Sequence, residues 1–384
     1  MNAAVDNPLP HFRTPVDMVA AWRPDEPVYC IDRAALVEAA RRFVALFPGH
    51  VLYAVKCNPL PFVLDALHEG GIGHFDTASI AEIELIGRRF PDGEGHFMHP
   101  VKSPQAIRRA FDEFGVRNFV VDHPAEIRKM IEVLGDDRRH CVALVRLATP
   151  STGAKFNLSA KFGATPEISI ALLRSLVVAG FRPGLCFHVG SQCVDPSAWT
   201  LALELVDRVL REAGVAIECL DVGGGFPAAY ANETPPPLET FIAAIVDGVG
   251  KLDLPHECVL MCEPGRALVA GATSLVARIE LATDDAIHLN DGIYGSLIGA
   301  TIGIRWPVTL IRPDGAAAND SRGFRVYGPT CDNLDMLPHE FDLPTDVRTG
   351  DYVKIDRLGA YAVALRTGFN GFMPNRFVTV DRLG

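Results

Sequence analysis

No apolar run in this 384-residue chain approaches the roughly 20 residues needed to span a bilayer. The N-terminus carries Pro, Asp and Arg in place of a continuous apolar stretch, so no secretory signal is expected and the chain reads as soluble and cytoplasmic. A cationic surplus is also missing. Lys and Arg number 36 against 47 Asp and Glu, a net charge of −11, and such a chain is repelled by phosphate backbones and anionic membranes. Paired cysteines are lacking as well. The nine present are scattered, with no CxxC pair and no Cys/His ligand spacing, so neither a disulfide framework nor a zinc site is indicated and no metal is expected. Most of them read as small buried hydrophobes. Internal repeats and low-complexity tracts are absent.

What is present is a large apolar fraction, 48%, enough for roughly two domains. Short β-branched runs recur at Val51–Val55, Gly73–Asp76, His96–Met98, Phe119–Asp122, Val142–Val145, Leu185–Val189, Ile217–Val222 and Val259–Glu263. Most are separated by stretches of helical periodicity, such as Ile80–Arg89, Ala125–Leu134 and Trp199–Glu212. Buried strands alternating with amphipathic helices imply parallel βαβ units. Eight of them predict an α/β fold, a (β/α)8 TIM-like barrel; an open doubly wound sheet is the alternative that periodicity leaves. Near residue 272 the helical pattern fades. Ser274–Leu281, Gly323–Tyr327 and Tyr352–Ile355 read as strands with Gly, Pro and Asp between them. The expected organisation is a barrel over 32–272 and a β-rich domain built from 1–31 and 273–384, with Pro27–Ile31 an extra strand. Pro313–Ser321 reads as an exposed connection.

Polar residues fall at one place in each repeat. Lys56 ends the first strand, Asp76 the second, Arg146 the fifth, His188 the sixth and Glu263 the eighth, and Gly223, Gly224 and Gly225 follow the seventh. The carboxyl ends of barrel strands form the active-site face, so these groups ring one mouth. Lys56 is either a solvated strand end or, desolvated, an amine that forms a Schiff base with an aldehyde. The glycine turn offers amides to a phosphate, at the usual barrel position for one. Glu263-Pro-Gly-Arg266 sets two unlike charges beside the mouth, and the arginine suits a phosphate. His188, with Ser191 beyond it, is placed to stack on a flat ring.

With those residues in hand, the chain resembles the fold-type III pyridoxal-phosphate (PLP) decarboxylases, the ornithine/lysine decarboxylase group within the alanine-racemase-like barrels. The resemblance runs from about Pro27 to Phe372. It rests on Tyr53-Ala-Val-Lys56, Phe75-Asp76-Thr-Ala-Ser79, Lys161-Phe-Gly163, His188-Val-Gly-Ser-Gln192, Gly223-Gly-Gly-Phe-Pro227, Glu263-Pro-Gly-Arg266, Tyr327-Gly-Pro-Thr-Cys331-Asp332, Gly359-Ala-Tyr361 and Phe369-Asn-Gly-Phe372. It implies that the chain decarboxylates a basic amino acid to a diamine and carbon dioxide, as in polyamine biosynthesis. It further implies that Lys56 carries PLP, Glu263 meets the pyridine nitrogen, and His188 stacks on the ring. Ser191, the Gly223–Gly225 amides, Arg266 and Tyr361 are implied phosphate ligands, with Asp76 and Arg146 near the ring. A head-to-tail homodimer is implied, in which Cys331 reaches the partner's site to protonate the α-carbon and Asp332 meets the distal amine. Lys161 and Asp335 resemble the pair that bridges the subunits.

One departure stands out. The resemblance calls for an acidic residue after Asn290-Asp-Gly-Ile-Tyr-Gly-Ser296 to bind the substrate's distal amine, yet no carboxylate lies between Asp291 and Asp314. Either Asp332 alone serves that amine, or Arg305 faces a distal carboxylate, as a diaminopimelate-like substrate needs, or Arg305 is a surface residue. An amino-acid racemase on the same fold expects a cation at the pyridine nitrogen and a tyrosine base, against Glu263 and Cys331. A non-catalytic decarboxylase-like regulator is opposed by the intact Lys56, Glu263, Arg266 and Cys331.

Overall fold

The computed structural model describes residues 8–149, the backbone of 154–156, and residues 161–315 and 317–384. Eight parallel strands close a barrel. They are β1 (His50–Ala54), β2 (His74–Thr77), β3 (Glu94–Phe97), β4 (Asn118–Val121), β5 (Val142–Leu147), β6 (Arg182–Phe187), β7 (Cys219–Asp221) and β8 (Val259–Cys262). Closure runs through β8 onto β1, with Cys262 opposite Val51. Strand alternation divides the side chains into two sets. Leu52, Met98, Val120, Leu144, Cys186, Cys219 and Met261 fill the barrel interior as one cluster. Their neighbours Tyr53, Phe75, Phe97, Phe119 and Val145 join the larger core beneath the helices. All eight expected strands are present, within a few residues of their expected ends.

Recurrent punctuation sets the helix starts. Ser103, His123 and Thr165 each accept a backbone N–H of the first turn, and each is followed by Pro, at the heads of Pro104–Phe114, Pro124–Leu134 and Pro166–Ala179. Such a cap stabilises a helix by about 1 kcal/mol, and proline at the first position sacrifices no bond. Two helices, Arg33–Leu46 and Leu238–Val249, lie outside the periodic stretches picked out above.

The remaining strands form a mixed sheet. Thr273–Ala282 pairs antiparallel with Val28–Asp32, Ala286–Leu289 and Tyr352–Ile355. Arg376–Val380 lies parallel to Val28–Asp32, and His11–Phe12 to Arg376–Val380. The start and the end of the described chain thus meet in one sheet, packed on Met18, Val19, Val276, Tyr352 and Val378. Bonds that tie this unit to the barrel mouth include Tyr361 N–H to Cys57 O at 2.8 Å, Asn58 Nδ2 to Gly359 O at 2.9 Å and Ala231 N–H to Arg305 O at 2.8 Å. No helix among the described residues is long and apolar enough to cross a membrane.

Candidate active site

A cavity of about 480 Å³ opens at the carboxyl ends of the strands, lined by Lys56, Asp76, Arg146, His188, Ser191, Glu263, Arg266 and Tyr361 among others. Its size is that of a small-molecule pocket. Five strand ends, at Lys56, Asp76, Arg146, His188 and Glu263, therefore face one cavity, with Tyr361 joining from the second domain.

Lys56 sits in the turn Val55–Cys57 that follows β1. Its Nζ donates to Asp76 Oδ2 at 2.5 Å, and Asp76 is 2% exposed. Burial pulls the ammonium down, but Asp76, Glu263 and Tyr361 outweigh it and hold Lys56 above its ordinary range. Glu263, one residue past β8, is pushed well above the usual carboxylate range by burial and then by Asp76 and Asp221. Asp221, at the end of β7, is pushed up to about 6 by burial, against the N–H of Gly223 that it accepts at 2.8 Å. Like charges this close do not both ionise in a buried site, so the Glu263–Asp221 pair retains a proton.

Beside this acid pair lies an anion cradle. A small annexe of the cavity is lined by Lys56, His188, Ser191, Gly225, Glu263, Gly265, Arg266 and Tyr361. Gly223 and Gly225 hold φ of +67° and +112°, and a Cβ on Gly225 would lie 2.5 Å from Gly190 O. A loop that excludes Cβ atoms leaves its amides open to a ligand. The Arg266 guanidinium donates to Tyr230 Oη at 2.7 Å and to Ser191 Oγ at 3.4 Å, while its Nε is buried with no hydrogen-bond partner. A buried cationic donor left open calls for an anion. These features fit a phosphorylated cofactor. Tyr361 crosses the cradle in the left-handed region, φ +64°, a strained backbone held by its bond to Cys57.

His188 receives the Gly190 N–H on Nδ1 at 3.0 Å. Burial, then Arg146 and Lys56, hold its pKa well below the ordinary imidazole value. The ring is neutral, with its proton on Nε2, and suits a flat partner. Gln192 Nε2 donates to Ala228 O and receives the Ala228 N–H on Oε1, which locks the loop after β6 against the glycine loop.

The other expected site residues lie elsewhere. Cys331 is exposed, its backbone N–H and thiol turned to Asn370 Oδ1. Asp332 accepts the Tyr294 hydroxyl at 2.7 Å and the Leu334 N–H. Neither lines the cavity of its own chain. Arg305 is exposed and outside the lining, although its neighbours Ile304 and Trp306 belong to it. Lys161 is exposed, its Nζ over the Phe162 ring. Asp335 is 3% exposed, and it accepts the N–H groups of Ile293 and Thr330 and the Thr330 hydroxyl. Its carboxylate organises a turn within the chain.

Sequence reasoning missed Tyr230, Asp221 and the wall formed by Ile298, Thr301, Ile302, Ile304, Trp306 and Leu365. Asp221 had a signal, an acid ending a strand just before the glycine turn. The wall had none, because apolar residues in a loop-rich stretch read as core.

A family model described as the pyridoxal binding domain of pyridoxal-dependent decarboxylases matches residues 33–270. The chain is 34% identical over 335 residues to lysine/ornithine decarboxylase of Selenomonas ruminantium, covering 84% of this chain and 81% of that protein. Lysine/ornithine decarboxylase from Vibrio vulnificus, complexed with putrescine, superposes with a TM-score of 0.82 at 28% identity, covering 96% of this chain and 99% of that one. Lysine decarboxylase of Selenomonas ruminantium in complex with PLP and cadaverine gives 0.80 at 29% identity, covering 95% and 92%.

Proposed function

The chain belongs to the pyridoxal-dependent decarboxylases, and on that premise we propose that it removes the α-carboxylate of a basic amino acid of the ornithine/lysine class to leave a diamine. The observation that carries this reading is the set of Lys56, Glu263 and Arg266 around one cavity: an amine, an acid that keeps its proton, and an open cation. Bound PLP supplies an aldehyde that condenses with amines and a pyridine ring that accepts the electron pair of the departing carboxylate.

The chain's own groups divide the work. Arg266, Ser191, Tyr361 and the amides of Gly223, Gly224 and Gly225 hold the phosphate. Lys56 enters as an ammonium and must pass a proton before its Nζ is nucleophilic; Asp76 Oδ2, at 2.5 Å, is the acceptor. Glu263 shares its proton with the pyridine nitrogen, which preserves the ring's electron demand. An arginine there, as a racemase requires, would do the reverse. His188, a neutral plane, would cover the ring, and Arg146 lines the cavity beside it. Met98, Ile298 and Leu365 line the cavity with Lys56 and exclude water from the carboxylate that leaves.

The far end of the cavity is apolar. Its described lining holds no carboxylate besides Asp76 and Glu263, both at the cofactor end. A distal ammonium buried there without an anion would be costly. The exposed Cys331 and the half-buried Asp332 supply what is missing if a second copy presents them, Cys331 giving a proton to the α-carbon and Asp332 receiving the distal amine. Lys161, exposed beside the mouth, remains an interface residue in this reading. We divide the chain near residue 272, with the first 31 residues returning to the second sheet; the pairing of Thr273–Ala282 with Val28–Asp32 supports this. The diamines bound by the relatives support a place in polyamine supply, in the cytoplasm.

The test is a carbon dioxide release screen over L- and D-ornithine, lysine, diaminobutyrate, arginine and diaminopimelate, with chiral analysis of the residual substrate. Release from ornithine or lysine without inversion is expected. Release from diaminopimelate alone would overturn the substrate class, and inversion without release would make the protein a racemase.

A further inference from the structure

The opposite rim of the barrel, where the strands begin, carries a second polar cluster that the chemistry above does not use. β1, β2 and β3 open with His50, His74 and Glu94, and His96 follows two residues along β3. The parallel register sets His74 beside Glu94 and Asp76 beside His96. His74 Nδ1 faces His96 Nε2 at 3.2 Å and Glu94 Oε2 at 3.7 Å, and one ligand atom from each of the three lies within 4.8 Å of the others. We propose that His74, Glu94 and His96 bind a divalent transition-metal ion of the zinc class, on the side of the barrel where its strands begin.

Geometry favours a metal over a plain hydrogen-bond cluster. Metal–ligand bonds of about 2.0–2.2 Å in a tetrahedral site place neighbouring donor atoms roughly 3.3–3.6 Å apart. The two measured separations bracket that value, and a small rotation of the exposed Glu94 closes the third edge. Two imidazoles and one carboxylate are a zinc donor set that leaves a fourth position for water.

The hydrogen bonds around the cluster suit a metal as well. Only one proton lies between the facing nitrogens; as the metal takes His96 Nε2, that proton moves to Nδ1 of the same ring. Asn118 Nδ2 is 2.9 Å from His96 Nδ1. When the metal takes Nε2, the Asn118 amide turns its oxygen to the Nδ1–H, the outer-shell contact that usually fixes a ligating histidine. Entry is open from below: the Glu94 side chain is 68% exposed and that of His74 22%, with the His50 ring stacked on His74 at 4.0 Å between centroids. The ligands are 20 and 2 residues apart in sequence. Strand register alone assembles them, which is why the sequence pointed to no metal.

The test uses the PLP-loaded protein, stripped with a chelator, dialysed and titrated with Co²⁺ as a spectroscopic probe and with Zn²⁺ by calorimetry. One equivalent per chain should bind, with the strong visible absorption of a four- or five-coordinate cobalt ion. Glu94→Gln should weaken Zn²⁺ binding at least tenfold and His74→Gln more, with carbon dioxide release unchanged in both. A melting curve verifies that each variant folds, and Glu94, whose side chain is 68% exposed, carries the test if His74→Gln does not. Failure to take up Co²⁺, or uptake identical in wild type and both variants, would overturn the proposal.

Discussion

At the scale of single residues, each group in the cavity has a separable task. In the proposed function Lys56 is the covalent anchor and Arg266 a phosphate ligand, so borohydride reduction of the PLP-loaded protein followed by peptide mapping should place the adduct on Lys56. Lys56→Ala should lower kcat on the order of a thousandfold or more; an adduct on another lysine would refute the assignment. Arg266 contributes charge-assisted bonds to the phosphate. Such bonds contribute roughly 1.5–3 kcal/mol, so Arg266→Ala should weaken PLP retention by about tenfold to a hundredfold in equilibrium dialysis. Unchanged retention would place the phosphate elsewhere. The lysine, the acids and the arginine were legible in the sequence because each ends a strand or follows one at once. Tyr230 and Trp306 were not: both reach the cavity from loops, whose course depends on packing and not on periodicity.

At the scale of elements, the turn between Asn290 and Ser296 places the cavity's apolar wall. Asp291 accepts the N–H groups of Gly292 and Ser296 at 2.8 and 3.0 Å, and burial pushes it up to about 6. The folded protein therefore holds a proton there that the unfolded chain, near 3.8, has released. The stability from that proton is fully present below pH 3.8 and is lost as pH rises to about 6; a two-unit shift corresponds to on the order of 3 kcal/mol. Asp291→Asn keeps the acceptor and removes the titration. The stability of wild type minus variant, from urea denaturation at several pH values, should fall between pH 4 and 6 and then level off. A flat difference would contradict the buried-acid reading. The elements themselves were largely readable, because short β-branched runs alternate with capped, amphipathic helices. Arg33–Leu46, rich in alanine and arginine, escaped because its apolar stripe is thin, and Leu238–Val249 because apolar residues surround it on most sides. Strand register was not readable at all, and both the closure of β8 onto β1 and the histidine cluster depend on it.

At the scale of the whole molecule, the proposed function has the site finished by Cys331 and Asp332 of a second copy. Cys331→Ala alone should lower activity by roughly 10²–10⁴-fold as its proton delivery is lost. Mixing equal amounts of Lys56→Ala and Cys331→Ala should restore activity to about a quarter of wild type, since half the random dimers carry one intact site of two. No recovery after subunit exchange would mean that both residues serve the same chain's cavity, or that Cys331 serves none.

The central claim, decarboxylation of a basic amino acid through Lys56, is met most directly by carboxyl-labelled L-ornithine and L-lysine. The PLP-loaded protein should release one labelled carbon dioxide for each diamine formed, and Lys56→Ala should release none above background. Release that survives Lys56→Ala, or labelled substrate that stays intact with the wild type, would contradict it.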